Sequence, residues 1–267
     1  NGASSLKKAI DSVYAQSYEN WEIIFWDNAS TDNSKKIAQS YDERLKYYKS
    51  EENTPLGEAR NFALSKVNGK YIAFLDCDDL YLPQKLRLQV KLLENCDFAM
   101  TYSGAITIDD KGRELRRILA KNDSGYVFSD LLFHYEINMQ SVMLRKSILD
   151  KKAFSFNTSF RYCPDYNLFM RIAAEYNVGI VKEPLVMYRI SPNSLSKQTV
   201  DIASREIKIT LDEIFSKMPA LELKYKKSAA AAYAKLNYYD AVTFIHKSNF
   251  SQARLKLKEV MFQRWEY

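Results

Sequence analysis

Over its first two thirds the chain alternates short apolar runs with segments whose apolar residues recur at helical spacing. Leu6, Ile10, Val13 and Tyr14 repeat three and four residues apart, which predicts a helix capped by Ser4 or Ser5. Residues 21–26 form an apolar run suited to a buried strand. The run breaks at Asp27-Asn28-Ala29-Ser30-Thr31-Asp32-Asn33-Ser34, a polar segment with helix-cap chemistry, and a helix through Ile37 follows. Residues 45–48 predict a second strand, and residues 57–67 a helix stopped by Asn68-Gly69. Residues 71–75 predict a strand that again ends in acid, at Asp76-Cys77-Asp78-Asp79. Pro83 opens a helix to about residue 95, and residues 98–102 predict a further strand.

Such alternation predicts an α/β fold with a mostly parallel sheet covered on both faces. Ligands of these sheets bind beyond the carboxyl ends of the strands, where both acidic segments fall. The chain is less regular over residues 103–160, with strands expected at 105–108 and 141–144. An amphipathic helix over 164–176, strands at 178–181 and 185–188, and a polar loop at 189–194 follow. From about Asp201 only helical patterns remain, near 202–218, 220–246 and 251–261. The expected organisation is an α/β domain over residues 1–200 and a helical extension over 201–267. Phe244, Phe250, Ala253, Leu257 and Val260 form the expected seam of the last hairpin.

Composition narrows the function classes. With 46% hydrophobic and 27% charged residues the chain can bury a large core, and 7 Gly and 6 Pro exclude collagen-like or linker-like sequence. The 19 Tyr suit a carbohydrate or nucleotide site, although packing accounts for most of them. The net charge of +6 fits phosphate-bearing ligands or an anionic surface. No basic block interleaved with aromatics points to nucleic acid. Residues 201–267 hold 12 Lys+Arg against 8 Asp+Glu, so this basic tail either contacts an anionic membrane or forms a solvated appendage. Three cysteines without a C-x-x-C pair read as reduced thiols of a cytosolic protein, and no apolar run reaches the roughly 18 residues of a membrane span.

Three carboxylates within four residues, Asp76, Asp78 and Asp79, repel one another unless a cation joins them, and oxygen donors suit Mg²⁺ or Mn²⁺. The same residues also suit an exposed acidic turn. Asp27, Asn28, Ser30 and Asp32 can read a base edge or a ribose, or serve only as a cap cluster. Arg60 can meet a phosphate or form a surface ion pair.

Taken together, the segments resemble family 2 glycosyltransferases of the GT-A fold over roughly residues 1–196. The D-D-x-S-x-D loop reads Asp27-Asn28-Ala29-Ser30-Thr31-Asp32, the A-R-N end of G-x-x-x-A-R-N is matched within residues 57–61 by Ala59, Arg60 and Asn61, with Gly57 two residues ahead, and F-L-D-x-D-D reads Phe74 to Asp79. E-D-x-x-L-x-x-R is matched by residues 164–171, with Pro164 at its first position. The resemblance implies an inverting, metal-dependent, non-processive transferase. It would move a sugar from a nucleotide donor, UDP-linked by family analogy, to a hydroxyl of a glycan or lipid-linked glycan at the cytoplasmic face of a membrane. Asp27, Asn28, Ser30, Arg60 and Asp76 are then assigned to the nucleotide, Asp78 to the metal (Mn²⁺ or Mg²⁺) and Asp165 to the general base. Asn1-Gly2 resembles the end of the family's P-x-Y-N turn, implying a first strand ahead of it.

Two positions depart from the pattern. Pro164 replaces an acid beside the base, and Ser191 stands where Y-R-x-H has its His, leaving Arg189 or Ser194 as candidates for a phosphate or acceptor contact. Gln263-Arg264-Trp265 is similar to Q-x-x-R-W but wrongly spaced, and His134 and His246 are isolated. Rival readings are a nucleotidyltransferase and a catalytically impaired sugar-nucleotide-binding scaffold.

Overall fold

The computed structural model describes residues 1–152, 154–191 and 202–265. Ser194 lies outside them. The first helix, α1 (Ala3–Tyr14), buries Leu6, Ala9, Ile10 and Val13 along one stripe. Neither Ser4 nor Ser5 caps it. The helix starts at Ala3, whose N–H is taken by the Asp32 carboxylate at 3.0 Å, so the cap comes from a distant loop.

Strand β1 (Ile23–Asp27) pairs in parallel with β2 (Leu45–Lys49), α2 (Ser34–Ala38) connecting them, and α3 (Leu56–Leu64) follows. A second sheet contains β3 (Tyr71–Ala73), β4 (Leu80–Tyr81), β5 (Met100–Ile108), β6 (Glu114–Ile118), β7 (Met143–Arg145) and β8 (Val178–Arg189). Its order is β3-β7-β5-β8-β4, with β6 beside β5. Only β5 and β8 run parallel there; β3/β7, β5/β7, β4/β8 and β5/β6 are antiparallel. The sheet is therefore mixed rather than mostly parallel, because the irregular middle of the chain returns as hairpins.

The two strand pieces expected at 98–102 and 105–108 are one strand, as are those at 178–181 and 185–188. The polar breaks between the pieces are a bulge in the β5/β8 register around Gly104. A Cβ on Gly104 would collide with the carbonyl oxygens of Ile118 and Lys182, so only glycine lets the strands close there.

Helices α4 (Lys85–Asn95), α5 (Phe128–Phe133), α6 (Lys146–Lys152) and α7 (Pro164–Glu175) flank the second sheet. The chain then continues through α8 (Ala203–Lys217), α9 (Pro219–Lys224), α10 (Lys226–His246) and α11 (Phe250–Trp265). The largest core cluster joins Tyr102, Phe128 and Phe169 to Ile207, Leu211, Ile214 and Phe215 of α8 and to Ala229, Ala232 and Leu236 of α10. The helical extension thus shares its core with the α/β part. The last hairpin closes differently from the expected seam. Ala241 and Ala253 are buried at its contact, whereas Phe250 and Leu257 face outward. Alanine lets the two backbones approach closely and leaves the larger side chains outside.

Strands β1 and β3 do not pair with each other. Between them runs a slot of about 900 Å³, walled by Ile10 and Val13 of α1, Phe25 of β1, Ala63 of α3, Ile72 of β3 and Val90 of α4. Trp26 and Tyr71 also border this slot, and Trp26 Nε1 and the Tyr71 hydroxyl are themselves buried in the surrounding packing without a hydrogen-bond partner.

Candidate active site

The first acidic segment is a rigid turn. Ala29 is left-handed (φ 60°), which swings the Ser30 N–H back onto Asp27 Oδ1 at 2.8 Å. The Tyr47 hydroxyl donates to Asp27 Oδ2 at 2.6 Å. Burial alone would raise the Asp27 carboxyl, but the bonds from Tyr47 and Ser30 outweigh it and hold the group below the usual range. Asn28 spends its side chain on the neighbouring loop, donating to the Thr54 carbonyl at 2.8 Å and accepting from Ser50 and Thr54. The Ser30 hydroxyl accepts from the Asn1 amino group at 3.2 Å, and Ser34 donates to Asp32 at 2.6 Å. Asn28 and Asp32 therefore shape the loop and cap α1.

The second segment faces the first across the mouth of the slot. Asp76 accepts from Arg60 at 3.2 Å and from Gln140 Nε2 at 2.7 Å. Arg60 is aimed by α3, which lies close against residues 156–157. A Cβ on Gly57 would come 2.8 Å from the Asn157 carbonyl, and Asn61 makes two bonds to the Phe156 backbone, at 2.9 and 3.0 Å. The Phe156 ring then lies under the guanidinium at 5.6 Å. Gln140 sits on a 3₁₀ turn (Met139–Ser141) whose backbone is held from below. Gln89 donates to the Ser141 carbonyl at 2.7 Å, and fully buried Lys85 donates to Gln89 at 2.6 Å. Burial pushes the Lys85 amine down to about 7.

Asp78 is pushed up by burial first and by the charge of Asp76 second. Asp79 is almost wholly enclosed, and burial pushes it up to about 8. Its carboxyl accepts the Arg189 N–H at 2.7 Å, while the Arg189 guanidinium donates to the carbonyls of Asp78 at 2.9 Å and Asp109 at 2.6 Å. Arg189, a candidate for phosphate contact, is thus committed to fastening the acidic loop to the end of β8. Asp79, unassigned by the sequence pattern, is the other half of that clasp.

Asp165 occupies the first turn of α7. The helix N–H groups of Asp165 and Tyr166 favour its ionised form, as expected of a helix start, but burial dominates and raises the carboxyl. Arg60 lowers it and Asp76 raises it, so these three groups form one electrostatic cluster. The approach to α7 is set from the helical extension. Glu206 of α8, itself buried, accepts three consecutive backbone N–H groups, from Arg161 at 2.6 Å and from Tyr162 and Cys163 at 2.9 Å. Pro164 lacks an N–H and ends that series at the first helical position, where proline costs nothing. Farther along, Asn167 donates to Thr210 and Glu213 at 3.2 Å, and Arg171 lies 3.5 Å from Glu213.

Asp27, Arg60 and Asp76 border one slot where β1 and β3 end and α7 begins, with Asp78 in electrostatic contact with Asp76, and Asp165 with Arg60 and Asp76. The sequence profile of glycosyl transferase family 2 matches residues 1–171. The chain belongs to that family. An uncharacterised glycosyltransferase of Rickettsia typhi is 33% identical over 198 residues, covering 71% of this chain and 61% of that protein. For two other rickettsial relatives the chain spans 34% and 30% of their length. The Escherichia coli UDP-Glc:alpha-D-GlcNAc-diphosphoundecaprenol beta-1,3-glucosyltransferase WfgD is 30% identical over 199 residues, covering 73% of this family 2 chain and 76% of WfgD. Residues 1–349 of S. aureus TarS, crystallised with UDP-GlcNAc, share the fold at a TM-score of 0.67 and 14% identity, covering 100% of this chain and 90% of that crystallised chain. This likeness establishes the GT-A fold of the family 2 chain.

Asp76 and Asp78 offer oxygen donors only, and after burial the charge of Asp76 raises the cost of ionising Asp78, which fits a hard divalent ion. Among the described residues no group of three His, Cys, Asp or Glu side chains is arranged to hold a metal. A pair of carboxylates suits an ion that draws the rest of its shell from substrate phosphates and water.

Proposed function

We propose that the protein is an inverting, metal-dependent glycosyltransferase that moves a sugar from a UDP-sugar to a hydroxyl of a glycan or lipid-linked glycan. The observation that carries this reading is the clustering of Asp165, Arg60 and Asp76, with Asp78 beside them, opposite the Asp27 turn. The UDP donor and lipid-linked acceptor are supported by what the name of WfgD, similar over most of both chains, states for that enzyme.

In this reading Asp27 and Ser30 face the nucleoside, and Arg60 offsets charge on the departing diphosphate. Asp76 and Asp78 would hold Mg²⁺ or Mn²⁺, which when bound supplies Lewis-acid stabilisation of that same charge. Asp165 takes the proton of the acceptor hydroxyl. A carboxyl raised by burial is a stronger base than an exposed one, and a positioned base contributes about 10²–10⁴-fold. Attack from the face opposite the diphosphate inverts the anomeric carbon. In an assay with a sugar-labelled donor, the reading requires transfer of the label and release of nucleoside diphosphate; transfer of a nucleotidyl group would overturn it.

A further inference from the structure

The tip of the α10/α11 hairpin carries a feature that the transfer chemistry does not use. Ile245, Phe250, Ala253 and Leu257 line an apolar notch of about 410 Å³ bordered by Arg254 and Lys258. Phe250 is 66% and Leu257 40% exposed, and they are grouped in this one notch rather than scattered singly. Residues 245–258 hold Lys247, Arg254, Lys256 and Lys258 and not one acid. Lys256 is drawn toward Asp240 and Glu259, while Lys247, Arg254 and Lys258 lie exposed around the notch. An apolar notch ringed by cations and free of carboxylates matches one chemistry, the phosphate and acyl boundary of an anionic bilayer. A purely apolar protein partner would leave the cations unpaired. Among the described residues no helix is long and apolar enough to cross a membrane, so contact would be made at the surface.

The position of the notch fits such contact. Tyr239 of α10 packs against the main core and lies within electrostatic reach of Cys163, two residues before Asp165. Ile245 follows six residues later, about 9 Å along the helix at 1.5 Å per residue. We propose that the α10/α11 tip docks on an anionic phospholipid surface, Phe250 and Leu257 entering the acyl boundary and Lys247, Arg254 and Lys258 meeting lipid phosphates. The proposal rests on the transferase reading only for its purpose, which is to bring a lipid-linked acceptor to Asp165. Binding itself needs neither donor nor turnover, so either can fail while the other stands.

The test is co-sedimentation of the whole chain with phosphatidylglycerol-containing vesicles and with pure phosphatidylcholine vesicles. Each cation near an anionic surface strengthens binding roughly fivefold, so the chain should prefer anionic vesicles by about tenfold or more, and high salt should abolish the preference. Phe250→Asp and the pair Arg254→Glu with Lys258→Glu should each lower binding about tenfold while leaving the melting temperature in place, since these side chains are exposed. The wild-type salt dependence decides the matter even if a variant misfolds. Recovery of the wild type in the supernatant with anionic vesicles at low salt would overturn the proposal. So would equal binding to both vesicle types, or a dimer that Phe250→Asp dissociates with no change in lipid binding.

Discussion

Asp165→Asn is expected to lower sugar transfer about 10²–10⁴-fold, because it removes the carboxylate proposed to take the acceptor proton. The substitution preserves shape and the donor contacts of Arg60 and Asp76, so nucleoside diphosphate should bind the variant as it binds the wild type. Burial raises the Asp165 carboxyl above its ordinary range, with Asp76 adding to the effect and Arg60 opposing it. Activity of the wild type should therefore fall as pH drops through an apparent value above that of an ordinary aspartate, since only the ionised form is a base. Asp165→Asn should lack this acidic limb in its residual rate. The stability sign is opposite. A carboxyl raised by burial opposes folding once it is ionised, so the neutral amide should not lower the melting temperature at pH 7. Unaltered turnover in Asp165→Asn would remove Asp165 from the chemistry.

Glu206→Ala is expected to destabilise the protein by about 3 kcal/mol, since it removes a buried carboxylate that holds one buried and two partly buried N–H groups, each hydrogen bond to a charged group being worth roughly 1 kcal/mol or more. A protein of this size loses roughly 2–4 °C of melting temperature per kcal/mol, which predicts a fall of about 6–12 °C by calorimetry. Turnover should fall as well, through looser placement of Asp165 rather than loss of donor binding. Glu206→Gln should fall between the two, because an amide accepts through one oxygen only. A melting temperature within 2 °C of wild type in Glu206→Ala would contradict the role given to this carboxylate.

The parts of the site that the sequence makes legible are those that interrupt a hydrophobic run. Asp27 ends the apolar stretch of β1, and Asp76 and Asp78 follow that of β3, so pattern and chemistry coincide at one position. Asp165 stands out for a similar reason, at the start of an amphipathic helix opened by Pro164. The supports are not legible. Tyr47 reaches Asp27 from the neighbouring strand, Gln140 reaches Asp76 across 64 residues, and Glu206 reaches the residues before Asp165 across about 45. None of them breaks a local pattern, so only tertiary packing gives them their task. Strand β6 is exposed at every position and β4 is two residues long, which leaves neither with a hydrophobic period to read. The mixed pairing of the second sheet follows from those same hairpins. The pieces of β5 and of β8 read as separate strands because a bulge interrupts the alternation of apolar and polar residues without ending the strand.

The metal-assisted diphosphate site proposed at Asp76 and Asp78, beside Asp165, should show in the melting temperature of the wild type and of Asp78→Ala with UDP, in the presence and absence of Mn²⁺. A ligand at 100 times its Kd adds about 2.7 kcal/mol to stability, a rise of roughly 5–10 °C. That rise is expected for the wild type only when UDP and Mn²⁺ are present together, and is expected to vanish in Asp78→Ala. A rise with UDP that is independent of Mn²⁺, or one that survives in Asp78→Ala, would contradict the proposed site.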